Sequence, residues 1–288
     1  MLIGFIGDIH GRVYHTIGAI ATWQAKTGKR FDLLIQVGDL GAFPDLTKLD
    51  PDTNRHLAAD PAEADFSRFI VAQGPQAEAL RAMRQQFLSP IYFNRGNHED
   101  FAWLDHIQSQ ANTATIPIDP YDLFHFVSDS TVLEFGDTRI AFLGGVEEQD
   151  DEAAIDQTAY QSLLALGTGQ IDVLVTHEGP YGSSIGFHGD THGSPLISEL
   201  IAKTEPSFQI AGHAHTVSGP KMYGNTLYLG LTIIVAPPLW YPDATGLQSG
   251  WMAVLDTNTA NLQLVNDAWL AAFPKPFDFD LWFRENYE

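Results

Sequence analysis

Short apolar runs rich in β-branched and aromatic residues recur along the chain at positions 2–6, 33–37, 91–93, 140–143, 173–175 and 208–210. Each has the length of a strand, and none alternates strictly with polar residues, as expected of strands covered on both faces. Between them, residues 13–26, 77–88 and 196–203 repeat apolar positions at helical spacing. This alternation predicts βαβ units, with helices lying over sheets. From Asn225 onward the character changes: Leu227 and Leu229, residues 251–255 and residues 262–265 read as strands joined by turns, so a hairpin-rich half is expected. The pattern predicts an α/β protein, a sandwich of two mixed sheets flanked by helices, in a single domain over residues 1–288.

Two segments break the pattern. Residues 42–75 contain Pro44, Pro51 and Pro61 and many acidic residues among few large apolar ones, which predicts an exposed surface insertion able to form a cap. Residues 270–288 form an aromatic C-terminal tail with Phe273, Phe277, Phe279, Trp282 and Phe283, expected to pack on its own subunit. The acidic run Glu147, Glu148, Asp150, Asp151 and Glu152 reads as a solvated loop leading into a helix.

Composition narrows the function. The 288 residues carry a formal net charge of −21, with 44% hydrophobic and 18% charged residues, which excludes disorder. So acidic a surface repels phosphate backbones, and no basic stripe offsets it, so no long nucleic acid is expected as a partner. Positive charge for handling phosphate must then come from bound metal. The chain has no cysteine, which removes disulfides, thiolate ligands and cysteine nucleophiles together. The stretch 227–240 is interrupted by Pro237 and Pro238 and is shorter than the roughly 20 residues of a membrane span. Residues 1–7 lack the features of a signal peptide, so the expectation is a soluble cytoplasmic protein without membrane partners.

The candidate chemistry sits directly after the apolar runs. Gly7-Asp8-Ile9-His10-Gly11 follows the first, Gly38-Asp39-Leu40-Gly41 the second and Arg95-Gly96-Asn97-His98-Glu99 the third, while Thr176-His177-Glu178 and Gly212-His213-Ala214-His215 follow the last two. Open α/β sheets bind ligands beyond the carboxyl ends of their strands, so these clusters should meet in one cleft. If the backbone stays extended, Asp8 and His10 project to one side, as do His213 and His215. Aspartates, an asparagine and imidazoles without thiolate suit Mn(II), Fe or Zn. Asp8, His10, Asp39, Asn97, His177, His213 and His215 are more ligands than one tetrahedral ion needs; two ions sharing a carboxylate account for them.

In this order the motifs GDxH, GDxx, GNHE, a single His after a strand, and GHxH resemble the calcineurin-like metallophosphoesterase superfamily, over about three quarters of the chain. The resemblance implies a four-layer α-β-β-α sandwich and two divalent ions per chain, with Mn(II) the leading choice. It implies Asp8, His10, Asp39 and His215 at one ion and Asp39, Asn97, His177 and His213 at the other. His98 would be the catalytic residue, beside the scissile phosphate. Two ions about 3.5 to 4 Å apart would polarise the phosphoryl oxygens while activated water attacks in line.

Some features depart from family branches. The GDxxDRG extension of the protein phosphatases, with its histidine-orienting aspartate and phosphate-gripping arginine, is replaced by Gly38-Asp39-Leu40-Gly41-Ala42-Phe43. The segment Thr176-His177-Glu178-Gly179-Pro180 with its following glycine-rich loop looks more like the phosphodiesterase-type branches. A phosphodiester is therefore the favoured small phosphorylated substrate, and a nucleotide is one candidate. A phosphomonoesterase or nucleotide pyrophosphatase, similar to diadenosine tetraphosphate hydrolases, is the alternative, and a non-catalytic scaffold the second. Arg12, Arg95, His188 and His192 are the candidate substrate contacts, whereas His15, His56, His106 and His125 belong to no motif and read as surface or packing residues.

Overall fold

The computed structural model describes every residue except 148–151, 186–190 and 240. In chain order the elements are β1 (Leu2–Ile6), α1 (Val13–Thr27), β2 (Leu33–Gln36), α2 (Pro51–Leu57), α3 (Asp65–Phe69), α4 (Gly74–Gln86), β3 (Ile91–Phe93), α5 (Phe101–Gln110), β4 (Thr115–Pro117), β5 (Phe124–Val127), β6 (Val132–Phe135) and β7 (Thr138–Leu143). There follow α6 (Gln157–Leu164), β8 (Val173–Thr176), β9 (Ser184–Ile185), β10 (Thr191–His192), α7 (Pro195–Thr204), β11 (Phe208–Ala211), β12 (Ser218–Tyr223), β13 (Thr226–Gly230), β14 (Met252–Asp256), β15 (Asn261–Leu264) and α8 (Phe279–Tyr287).

The first sheet has the order β15-β14-β1-β2-β3-β5-β4 and the second β12-β13-β11-β8-β7-β6. In each, parallel strands form the centre: β1, β2, β3 and β5 in one, β7, β8, β11 and β13 in the other. Antiparallel neighbours close the edges. Side chains of successive strand residues leave on opposite faces, so Leu33 and Ile35 enter the core between the sheets with Phe142, Val175 and Ile210. Leu34 turns to the outer face, into the core under α1, α3, α4 and α8. Leu143 and Leu174 meet α6 and α7 on the other side. The result is the four-layer α-β-β-α sandwich with two mixed sheets.

The strands around and after Asn225 form hairpins, β12 with β13 and β14 with β15, but these divide between the two sheets. β13 joins the second sheet in parallel beside β11, while β14 crosses to the first and pairs antiparallel with β1. Turn chemistry marks hairpins but says nothing about which sheet a strand enters. No helix among the described residues is long and apolar enough to cross a membrane.

Residues 42–75 are exposed at many positions but are anchored in the core. Phe66 and Phe69 are fully buried in the main core, and Ala42 and Phe43 are buried too. The acidic residues have a buried partner: Arg12 is fully inaccessible, and its guanidinium donates to Asp60 (2.9 Å) and Glu63 (2.7 Å). A buried cation needs paired anions, and these come from the insertion.

The tail lies against α1. Phe273 and Phe277 flank His15 at ring distances of 6.5 and 5.3 Å, and Phe279 meets Tyr14 at 5.2 Å. His15 is buried with no hydrogen bond at Nδ1, and burial, aided by Arg12, pushes its pKa down to about 4. The folded state thus binds the His15 proton more weakly than the unfolded chain. Its contribution is intact above pH 6.5 and is lost as pH falls towards 4, which amounts to about 3 kcal/mol. Denaturation of wild type and His15→Leu between pH 7 and 4 should show wild type losing that much more stability; parallel curves would refute it.

Candidate metal centre

Because β1, β2 and β3 run parallel in one sheet and β8 and β11 in the other, their carboxyl ends meet along one side of the sandwich. Backbone bonds lock the loops together there. Ile9 and His10 donate N–H to the Asp39 carbonyl, both at 3.0 Å, and Gly212 N donates to the His177 carbonyl at 2.9 Å. The Glu99 carboxylate accepts from Leu40 N (2.8 Å) and Ala42 N (2.6 Å), fastening the loop after β2 to the one after β3.

Four of the seven ligand residues do not reach the centre on extended backbone. His10, Asp39, His213 and His215 all have left-handed φ, from 42 to 65°. Such conformations cost non-glycine residues roughly 1 to 3 kcal/mol and cluster at functional sites. Asp8 and His10 still face one centre, but His213 and His215 turn to different partners. His213 Nδ1 lies 2.9 Å from Asn97 Oδ1, and His215 Nε2 lies 3.0 Å from His10 Nε2 and 3.2 Å from Asp8 Oδ2.

Asp39 stands between these groups. Its Oδ1 accepts from Asn97 N (2.7 Å) and His98 N (2.8 Å), which fixes the carboxylate. Its Oδ2 is buried and accepts no hydrogen bond, 3.6 Å from His10 Nε2 and 3.4 Å from His177 Nε2. Asp8, His10, Asp39 and His215 each place a ligand atom within 4.8 Å of the others. On the far side of Asp39, His177 Nε2 and His213 Nδ1 both lie 2.9 Å from Asn97 Oδ1. His177 Nδ1 faces the Val37 carbonyl at 3.0 Å, so Nδ1 keeps its proton and Nε2 is the nitrogen that can ligate once a cation displaces the second proton.

Charge within this cluster is sharply divided. Burial and His177 hold His213 down to about 3, and burial drives His10 well below its ordinary value, so both rings are neutral ligands. Burial would also lower His177, but Asp39 outweighs it and raises the ring to about 9. For Asp39, burial acts upward, and His177, His98 and His10 together pull it well below the carboxylate range. A buried carboxylate oxygen that accepts no hydrogen bond, faced by converging imidazole nitrogens, fits divalent cations with oxygen and nitrogen preference, which would displace the His177 proton on binding.

His98 lies beside this cluster, its ring 5.2 Å from that of His10. Its Nδ1 is 3.1 Å from Asp50 Oδ2, a close ion pair off the line of a hydrogen bond. Burial depresses the ring, yet Asp39 and Asp50 more than offset it and push the pKa up to about 10. Asp50 is the residue the motifs do not reveal. It is also the N-cap of α2, accepting from Asp52 N and Thr53 N, and its only local signal is Asp-Pro-x-Thr in a segment expected at the surface. Glu99 is likewise hidden, as the last letter of a motif.

The proposed substrate contacts fare differently. Arg12 is buried and bound to Asp60 and Glu63, so it cannot touch substrate. Arg95 is bound by Asp129 (2.7 Å) and by the carbonyls of Glu152 and Ala154, a bracket between loops. Both guanidiniums follow acidic partners made available by the fold. His192 is exposed and lines a cleft of about 1200 Å3 that runs up to His213 and His215. A smaller cleft of about 80 Å3 lies between His10, His98 and His215 and the insertion residues Asp52, Thr53, Arg55, His56 and Glu63. His188 and the acidic residues Glu148, Asp150 and Asp151 lie outside the described residues.

Residues 1–217, which carry all of these ligands, match the family model of the calcineurin-like phosphoesterases. The chain belongs to this family. Membership supports a hydrolase acting on phosphate esters, with a candidate metal site formed by the cluster around Asp39. Among solved structures, a protein of Thermus thermophilus is 13% identical over 92% of this chain and 98% of its own, with a TM-score of 0.51. A phosphatase from Mycoplasma pneumoniae described as novel is 14% identical over 98% of each chain, with a TM-score of 0.45. The first of these likenesses bears on fold alone. No curated protein sequence matches the chain.

Gly96 and Gly212 allow the close approach on which the centre rests: a Cβ at Gly96 would overlap Asp39 Oδ1, and one at Gly212 would overlap Asp8 Oδ1. Gly96→Ala should fold but lose divalent-metal affinity by roughly 10- to 100-fold, as for disturbed outer-shell contacts. Titration with Mn(II) by calorimetry measures it, and unchanged affinity would show that the loop after β3 does not position Asp39.

Proposed function

We propose that the chain is a dinuclear metal-dependent phosphoesterase that favours phosphodiesters. The observation carrying this reading is Asp39 Oδ2, buried, without a donor and flanked by two nitrogen-rich groups. Asp8, His10, Asp39 and His215 would hold one ion, and Asp39, Asn97, His177 and His213 the other; Mn(II), Fe and Zn all suit these donors. When bound, the ions polarise phosphoryl oxygens and activate water for in-line attack.

The protein's own groups divide the remaining work. His98 faces the small cleft beside His10 and His215, and with Asp50 at Nδ1 its Nε2 is the proton donor to the leaving oxygen. Asp50 keeps that ring oriented and charged, so it acts through His98. Glu99 and the Asp39 carbonyl hold the loops so that the ligands stay converged.

The preference for diesters rests on the cations. A monoester near neutral pH is largely a dianion, and gripping it calls for a free arginine or lysine beside the metals. Arg12 and Arg95 are both consumed by carboxylates. One observation favours a monoesterase: Arg55 lines the small cleft. Asp52 pairs with it at 2.9 Å, however, so Arg55 is not a free cation. A singly charged diester suits this cleft better.

Under saturating Mn(II), bis-p-nitrophenyl phosphate should be turned over with higher catalytic efficiency than p-nitrophenyl phosphate; a clear preference for the monoester, lost in Arg55→Ala, would move the reading to a phosphatase. Asp50→Asn keeps the helix cap but removes the charge. It should leave metal content intact, lower kcat on the order of tenfold, and shift the alkaline limb of the pH–rate profile to lower pH, because His98 then loses its proton more easily. An unmoved limb would remove Asp50 from the mechanism.

A further inference from the structure

Phosphoryl chemistry needs only the region around Asp39, yet a cleft of about 1200 Å3 adjoins it. His213 and His215 line both, so a group occupying this cleft can be covalently continuous with a phosphate at the centre. Ile185, Val217, Ile233, Ala236, Pro237 and Tyr241 make much of its wall apolar. Among the described lining residues there is no lysine or arginine, and Glu178 is the only carboxylate.

The outer edge is apolar as well. Ile185 is 78% exposed and Tyr241 59%. Val217 is exposed too, and Tyr181 and Leu239 extend the same chain segments with further exposed apolar side chains. Single exposed apolar residues are ordinary, but a cluster bordering a cleft marks a binding surface. Among the described lining residues a polyphosphate or other anionic group would meet Glu178 and no lysine or arginine, on a chain of net charge −21.

We propose that this cleft receives a hydrocarbon chain, so that the substrates are phosphodiesters in which one esterified group is a long alkyl or acyl-bearing residue. The inference rests on the phosphoesterase reading and assigns its substrate class. Each methylene moved from water into an apolar wall strengthens binding by up to about fourfold when fully buried, and about half that free energy applies in an open cleft.

The test uses alkyl p-nitrophenyl phosphate diesters from methyl to hexyl, freely dissolved, with the Mn(II)-loaded full chain. Catalytic efficiency should rise about twofold per methylene, roughly 30-fold from methyl to hexyl. Ile185→Ser combined with Tyr241→Ser should flatten that slope, whereas Leu88→Ser, an exposed apolar residue just before β3 at the other end of the strands, should keep it. A slope near zero in wild type overturns the proposal and leaves the phosphoesterase reading standing. If no ester is hydrolysed, that reading fails, and calorimetry with methyl- and hexylphosphonate decides the cleft: tighter binding of the hexyl compound supports it, equal binding overturns it. A flat slope together with a dimer in sedimentation that the double substitution dissociates would assign the surface to a second copy of the chain instead.

Discussion

The arrangement depends on how one carboxylate is held. Asp39 gives one oxygen to two consecutive backbone N–H groups, those of Asn97 and His98, and keeps the other free of donors in the buried space between two imidazole groups. That division makes an oriented ligand from a short side chain on a left-handed residue. Everything around it serves the same geometry: glycines where a Cβ would intrude, Glu99 tying neighbouring loops, and parallel strands delivering five loops to one edge. An unpaired buried carboxylate is costly in isolation. Left-handed strain and desolvation concentrated here make sense where a cation repays them.

A second buried charge organises the periphery. Arg12 sits at the start of α1, immediately after the first ligand loop, and donates to the His10 carbonyl as well as to Asp60 and Glu63. The insertion is thereby joined to the loop that carries His10, and its helix α2 brings Asp50 to His98. Removing one partner of such a buried pair typically costs roughly 3 to 5 kcal/mol. The segment thus lines the small cleft beside His98 and brings Asp50 to that ring.

Much of this was legible in the sequence because strand-end motifs report chemistry and apolar runs report strands. The central runs at 2–6 and 91–93 coincide with β1 and β3, and the seven candidate ligands converge. What escaped depends on pairing between distant residues. Arg12 read as a substrate contact because its partners lie some fifty positions away, and Asp50 went unremarked within the expected surface insertion because nothing local links it to His98. Phe66 and Phe69 were hidden among acidic residues whose meaning is the burial of a guanidinium. The edge strands β4 and β6, and β5 beside β4, are short and interrupted by polar residues, so their apolar signal is weak.

The central claim is that Asp39 is shared by two cations. Anomalous diffraction from crystals of the Mn(II)-loaded protein tests it directly. The account predicts two peaks per chain, one among Asp8, His10 and His215 and one among Asn97, His177 and His213, with the Asp39 carboxylate reaching both. A single fully occupied peak, or two peaks with Asp39 bound to only one, would contradict it.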